Sequence, residues 1–139
     1  MKSFFTPKEI RELVKVSYRQ IQYWDKSNFI SPSYRRRGKY RLYTFQDLIQ
    51  LKVAETLRNN GFSIQQLRST IENLRKLLAK ISFPFSELNI LFRKNRILLF
   101  KGYVQISGPA DDYIYFSAKA LRRQLEEHTA SEQPQQLVG

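Results

Sequence analysis

The chain has 139 residues and a formal net charge of +12, with 42% hydrophobic residues, no cysteine and one histidine. This apolar content is sufficient for a packed core, and the absence of cysteine excludes disulfides, thiolate metal sites and cysteine redox sensing. Because the sequence has no apolar signal core at its start and no stretch resembling a membrane span, we expect a cytoplasmic protein with no membrane contact. Since a single histidine cannot build a metal site by itself, we also expect no metal, and we expect no cofactor.

The positive charge is concentrated in the first part of the chain. Residues 1–82 hold 17 Lys and Arg against 6 Asp and Glu, whereas residues 83–139 hold 7 against 6. A basic segment joined to a near-neutral one suggests a polyanion-binding module attached to a module with another task. We expect a DNA-binding domain at 1–82, a small β-rich dimerisation or sensing region at 83–128, and a disordered tail at 129–139.

Two short helices are predicted near the N-terminus. The run Thr-Pro-Lys-Glu at residues 6–9 has the N-cap, N1 proline and N3 acid of a capping box, and its helix should end near Val14. A second capping box, Ser-Tyr-Arg-Gln at 17–20, opens a helix that should end near Lys26, with Trp24 facing the core. Two short helices joined by a tight turn are typical of a helix-turn-helix.

A basic hairpin is predicted directly after these helices. Residues 31–43 contain five cations and no acid, with Gly38 at the expected tip. Lys and Arg on one surface gain affinity for DNA by releasing its counterions. Arg and Gln at the start of the second helix can pair with base edges, whereas hairpin arginines and tyrosine hydroxyls more often hold phosphates. The residues predicted to contact DNA are Ser17, Tyr18, Arg19, Gln20, Gln22, Tyr23, Arg35, Arg36, Arg37, Lys39, Tyr40 and Arg41.

Two longer helices should follow the hairpin. A capping box at 44–47 opens the third helix, Gly61 suits its left-handed end, and another box at 63–66 opens the fourth. Apolar residues in the fourth helix are spaced 3, 4, 3, 4 and 3, a heptad-like pattern that fits either a core-facing helix or, from Leu74 onward, a partner-facing one. These residues are Ile64, Leu67, Ile71, Leu74, Leu78 and Ile81.

The last third of the chain is predicted to form strands and one helix. The expected strands are Leu88–Arg93, Arg96–Lys101, Tyr103–Ile106 and Tyr113–Phe116, and Ser117 should cap a helix that ends near Glu127. The predicted fold class is therefore α+β: a winged helix-turn-helix with four helices and a basic hairpin wing, then a small β-meander and a C-terminal helix. The aromatic strands fit a structural layer, a dimer surface or a pocket for a small apolar or cationic ligand.

Several of these segments together resemble the MerR family of winged-helix regulators. The resemblance spans residues 4–75 and implies that the helix from Tyr18 is the recognition helix and that the hairpin around Arg36–Arg41 is the wing. It also implies a homodimer on a palindromic operator, often activating by twisting an over-long promoter spacer. The matching runs are Phe-Thr-Pro-Lys-Glu-Ile at 5–10, Val-Ser-Tyr-Arg-Gln-Ile-Gln-Tyr-Trp-Asp at 16–25, Gly-Lys-Tyr-Arg-Leu-Tyr at 38–43, Asp-Leu at 47–48 and Asn-Gly-Phe-Ser at 60–63.

The sequence departs from the family pattern in two places. Gln22 stands where the family usually has an arginine, so a backbone contact is weakened or passes to Arg19. Strands follow the fourth helix where members usually have a long dimerisation helix. Dimer contacts would then fall to Leu74, Leu78 and Ile81, or to the strands.

Three functions fit these observations. The first is a sequence-specific transcription regulator that binds double-stranded DNA, with a small-molecule or protein effector at residues 83–128. The second is an architectural or excisionase-like factor that bends DNA. The third is an antitoxin-like module in which residues 83–139 bind another protein and DNA binding is secondary. An enzyme is not expected, because no nucleophile, metal cluster or phosphate loop is visible in the sequence.

Overall fold

The computed structural model describes residues 4–36, 40–93 and 96–132, and its helices begin where the capping residues stand. Thr6, Thr44 and Ser63 each accept a bond from the N3 backbone N–H, and the N3 side chain accepts one in return. These three predicted capping boxes are confirmed. Within the described residues, no helix is long and apolar enough to cross a membrane.

The first of two compact units covers residues 1–85. Helix α1 is followed by a left-handed residue, Lys15, with φ 61°, and α3 is followed by Gly61, with φ 88°, as predicted for that glycine. Trp24 is only 1% exposed and contacts Phe29 edge to face, at a centroid distance of 5.5 Å, so its predicted place in the core is confirmed. The elements are α1 Pro7–Val14, α2 Tyr18–Lys26, β1 Tyr34–Arg36, β2 Tyr40–Leu42, α3 Phe45–Asn59 and α4 Ile64–Leu78.

Four of the six heptad-like residues face the core of their own unit: Leu67, Ile71, Leu74 and Leu78. Leu74 is 0% and Leu78 is 1% exposed, and α4 packs against α3. The helix ends at Leu78, so Ile81 lies beyond it. The alternative that Leu74 and Leu78 face a partner is therefore wrong, because their burial within the first unit leaves no apolar surface of either side chain for a second chain.

The second unit covers residues 86–139 and contains one antiparallel sheet, in which β3 (Leu88–Arg93) lies between β4 (Arg96–Lys101) and β5 (Ile114–Ser117). The predicted bounds of β3 and β4 are confirmed, and β5 is shifted by one residue. The predicted meander order is wrong, because β5 pairs with β3 and not with β4. Strand β3 has the most buried residues of the three, which suits it to the centre of the sheet. The elements are β3 Leu88–Arg93, β4 Arg96–Lys101, β5 Ile114–Ser117 and α5 Ala118–Glu132.

The segment between β4 and β5 is not a strand, contrary to the prediction for 103–106. Gly102 has φ 82° and turns the chain away from the sheet edge, and residues 103–112 are exposed. Helix α5 begins as predicted, since Ser117 Oγ accepts from the Ala120 N–H at 3.1 Å, and it packs against β3. It continues past Glu127 to residue 132, so residues 129–132 are helical where disorder was expected. Residues 133–139 of that predicted tail lie outside the described residues.

The burial of the α4 stripe can be tested by truncating one of its residues. We expect Leu74→Ala to lower the free energy of unfolding by about 3 kcal/mol, because it opens a cavity in a packed core. Ile64→Ala is the matched control on the same helix: Ile64 is 50% exposed, so its loss should cost under about 1 kcal/mol. Denaturant unfolding of both variants measures the difference, and equal costs would contradict the assignment of Leu74 to the core.

Candidate nucleic-acid interface

Helix α2 presents one polar face to solvent. Ile21 and Trp24 are buried on the inner face, so the side chains on the opposite side point outward. Tyr18 and Gln22 form one i, i+4 row of that outer face, and Arg19 and Tyr23 form the next. Tyr18 is 39% and Tyr23 is 54% exposed, and Arg19 and Gln22 are exposed as well. Four of the predicted contact residues are thus brought together on one accessible helix face.

The N-terminus of α2 is fixed by a cap and a stacked arginine. Ser17 Oγ accepts from the Gln20 N–H at 3.1 Å. The Arg11 guanidinium from α1 lies 4.5 Å from the centre of the Tyr18 ring. This contact holds the first residue of α2 in place and puts a further cation beside the helix start. The sequence reasoning did not select Arg11.

The predicted wing is a short antiparallel hairpin made of β1 and β2. Its register places Arg35 opposite Arg41. Arg37, Gly38 and Lys39 lie outside the described residues, as do the side chains of Arg36 and Tyr40. Two like charges directly opposite each other destabilise a strand pair. This hairpin therefore needs an anion close to the two arginines.

Asp25, the second-last residue of α2, supplies that anion. Its Oδ1 accepts from Arg35 Nη2 and its Oδ2 from Arg41 Nε, both at 2.6 Å. The Asp25 side chain is 3% exposed, against 54% for Arg35 and 22% for Arg41. We call this arrangement the Asp25 bridge. It neutralises the arginine pair and ties both strands of the wing to the end of α2.

The base of the wing is closed by a second carboxylate. Asp47, in the first turn of α3, accepts from the Ser33 N–H at 2.8 Å before the hairpin and from the Thr44 N–H at 2.9 Å after it. Phe5 and Tyr43 exchange backbone hydrogen bonds of 2.8 and 2.9 Å next to this point. The wing is thus anchored at its base to Phe5, which precedes α1, and to α3, and on its side to α2.

The bonds of the bridge change the acidity of Asp25. Burial alone would raise the pKa of this carboxyl, but the hydrogen bonds from Arg41 and Arg35, with a smaller contribution from Ser31, hold the pKa below its ordinary value. The carboxylate therefore stays ionised through the neutral range.

The structure places the predicted residues in two different environments. On α2 all of them except the half-buried Gln20 are exposed, whereas Arg35 and Arg41, predicted to contact DNA, are also bonded to Asp25. Sequence reasoning missed Asp25, although a signal exists: it is the single acid between Glu12 and Asp47, in the most basic stretch of the chain. Among the described residues, no group of three or more His, Asp or Glu could hold a metal ion.

The Asp25 bridge predicts a pH-dependent loss of stability. We expect Asp25→Asn to lower the free energy of unfolding by about 1–2 kcal/mol at neutral pH, less than for a fully buried pair because both arginines reach solvent. Since the folded-state pKa is depressed, this contribution is present above the unfolded pKa of about 3.9 and is lost as pH falls through the lower folded value.

The free energy of unfolding of the unsubstituted protein and of Asp25→Asn should be measured between pH 3 and 8. The difference between the two should be constant near neutral pH and should shrink below about pH 4. Glu72→Gln, at an exposed acid on α4, is the matched control and should leave stability nearly unchanged. A difference that grew in acid would contradict the bridge.

Comparison with known proteins identifies the first unit. The family model described as MerR HTH family regulatory protein matches residues 5–78. An uncharacterized HTH-type transcriptional regulator of Mycobacterium tuberculosis is 32% identical over 68 residues, which are 47% of this chain and 30% of that protein. The HTH-type transcriptional regulator ZntR of Escherichia coli is 32% identical over 63 residues, 45% of each chain.

A solved MerR-family transcriptional regulator from Bacillus cereus has a TM-score of 0.45 and 24% identity, covering 55% of this chain and 67% of its own. The aligned part of this chain spans less than half the length of the two curated relatives. Because the family model covers just over half of the sequence, this protein belongs to the MerR HTH family of regulatory proteins.

Proposed function

We propose that this protein is a sequence-specific transcription regulator that binds operator or promoter DNA through α2 and the wing. Family membership and the names of its relatives, HTH-type transcriptional regulators, support DNA-binding transcription regulation in general. The observation that carries the finer proposal is the Asp25 bridge, because it fixes a basic hairpin beside an exposed helix face. A fixed pair of this kind can contact a groove and the adjacent backbone together.

In this proposal α2 reads the sequence. Arg19 and Gln22 lie on the exposed face of the helix, and their side chains can pair with guanine and adenine edges in the major groove. Tyr18, Tyr23 and the capped N-terminus at Ser17 and Gln20 would hold phosphates. Base contacts by a few residues would set the preferred sequence, and phosphate contacts would set the register.

The wing would hold the DNA backbone. Arg36, Arg37, Lys39 and Tyr40 are proposed to contact phosphates or reach an adjacent minor groove, on the basis of their place in the hairpin sequence. Arg35 and Arg41 would add positive charge while they position the hairpin through Asp25.

We further propose that the protein acts as a homodimer on an inverted repeat. Leu74 and Leu78 are buried in the first unit and do not supply the contact, so it would come from other residues, in the 83–128 region proposed for dimerisation or sensing. A specific observation also supports a protein-interaction role as the second candidate function. Five large apolar side chains of that region are exposed: Leu98, Tyr103, Val104, Ile106 and Tyr115.

Selection of binding sites from a pool of random duplexes tests the proposed function. An enriched inverted repeat is the expected result, and a salt titration on the selected sequence should show a steep loss of affinity because counterions are released. Binding without any enriched sequence would favour the architectural, DNA-bending alternative. Absence of binding at moderate salt would overturn the proposal and favour the protein-interaction module.

Two substitutions should distinguish a residue that recognises the base sequence from one that supports binding to the DNA backbone. We expect Arg19→Ala to change which sequence is preferred, with a loss of about 1–3 kcal/mol on the selected site. Arg41→Ala should weaken binding to all sequences by a similar factor, because it loosens the wing and removes a cation. Arg123→Ala, at an exposed position on α5, is the control for a lost charge. Equal losses on every sequence from both Arg19→Ala and Arg41→Ala would contradict these roles.

A further inference from the structure

One face of the second sheet carries an open groove. Helix α5 packs against β3, and Leu91 on β3 and Leu98 on β4, which are register partners, lie on the same side of the sheet. Together with Val104 and Ile106 of the segment after Gly102, they line a cavity of about 520 Å³. Ligand pockets in proteins have volumes of about 300–1,000 Å³, so this groove has room for a small organic molecule.

Two arginines stand at one end of this groove. Arg93 and Arg96 both line it, and they are the last register pair of the β3–β4 hairpin. In the wing, Arg35 and Arg41 are likewise register partners. In the wing a buried carboxylate bonds both arginines at 2.6 Å. In the second hairpin the acid that pairs with Arg93 is Asp112, which is exposed and lies 3.9 Å away.

Arg93 is held in place and Arg96 is open. The Arg93 guanidinium donates to the Tyr113 hydroxyl at 3.2 Å and lies 5.2 Å from the centre of that ring. Tyr113 in turn donates to the Ser107 carbonyl at 3.0 Å, which ties the groove-lining segment to the sheet. Arg96 is exposed, and no described acid forms an ion pair with it. The groove therefore has an oriented cation and a second, uncompensated one.

We propose that this groove binds a small organic anion with an apolar body, of the class of a medium-chain carboxylate. The carboxylate would lie between Arg93 and Arg96, as Asp25 lies between the wing arginines, and the chain would lie on Leu91, Leu98, Val104 and Ile106. The positive charges of Arg93 and Arg96 disfavour a cationic ligand, which the aromatic residues of this region allowed as one possibility. A polyanion is not the occupant, because residues 83–139 carry nearly balanced charge. This inference goes beyond DNA binding and does not depend on it.

Calorimetric titration of the full chain with decanoate, below its micelle-forming concentration and without DNA, tests this proposal. We expect saturable binding with one decanoate per chain, and much weaker binding of acetate, which lacks the body, and of decyltrimethylammonium, which has the wrong charge. Arg96→Gln should lower decanoate affinity on the order of tenfold, the effect of losing one charge-assisted bond. Arg123→Gln, the same change on an exposed part of α5, should leave the affinity unchanged.

Leu98→Ser tests the apolar wall, because Leu98 is 47% exposed and its replacement does not open the core. The Leu98→Ser substitution should weaken decanoate binding and leave the affinity for acetate unaffected. Three results would overturn the proposal: no decanoate binding, equal binding of the cation, or equal affinity in the Arg96→Gln and Arg123→Gln variants. A dimer by light scattering that Leu98→Ser dissociates, with no decanoate bound, would also overturn it and assign the face to a second copy. A random-duplex DNA assay on the same sample reports separately on the proposed function.

Discussion

The position of the wing beside α2 depends on the Asp25 carboxylate, while Asp47 closes the base of the hairpin. Strands β1 and β2 have three residues each, and an isolated two-stranded hairpin is marginally stable at best in water. Their register also sets Arg35 against Arg41, which adds repulsion. Asp25 converts this repulsion into two hydrogen bonds and, because it belongs to α2, gives the wing a fixed place beside the helix with the exposed polar face. Packing of α2 against the core through Trp24 and Ile21 then holds Asp25 itself in position.

This arrangement separates two uses of positive charge in the same unit. Arg19 and Gln22 are free to meet a ligand because the core takes the other side of α2. Arg35 and Arg41 form ion pairs with Asp25 that stabilise the fold. The net charge of residues 31–43 therefore overstates the number of cations available to bind a polyanion. The second hairpin repeats the opposed arginines without the internal carboxylate. That difference between the two hairpins is the physical basis for expecting an anion from solution at Arg93 and Arg96.

Local signals in the sequence were sufficient to predict most helices and strands. They were insufficient for features that depend on contacts between residues far apart in the sequence. Capping boxes predicted the starts of α1, α3 and α4, and Gly61 predicted the end of α3, because each of these signals depends on residues within one turn. The strand order and the irregular 103–106 segment depend on which strand buries both faces and on the turn at Gly102, which pattern alone does not specify. The apolar stripe of α4 fitted core and partner equally well until α3 was seen to cover it. Asp25 was missed because its two partners lie 10 and 16 residues away, and no periodicity links them.

The affinity of Asp25→Asn for the duplex selected from the random pool tests directly whether Asp25 positions the wing, because two physical effects predict opposite changes in that affinity. Removing an acid from a basic surface that is proposed to contact DNA should strengthen binding if Asp25 acts only through its charge. If Asp25 positions the wing, the same change should weaken binding, by about tenfold for a loss of about 1.4 kcal/mol, although the protein becomes more positive. Glu72→Gln, which makes the same charge change outside the bridge, should leave affinity nearly unaltered. We expect folded Asp25→Asn to bind the duplex more weakly, and unchanged or tighter binding would show that Asp25 does not position the wing.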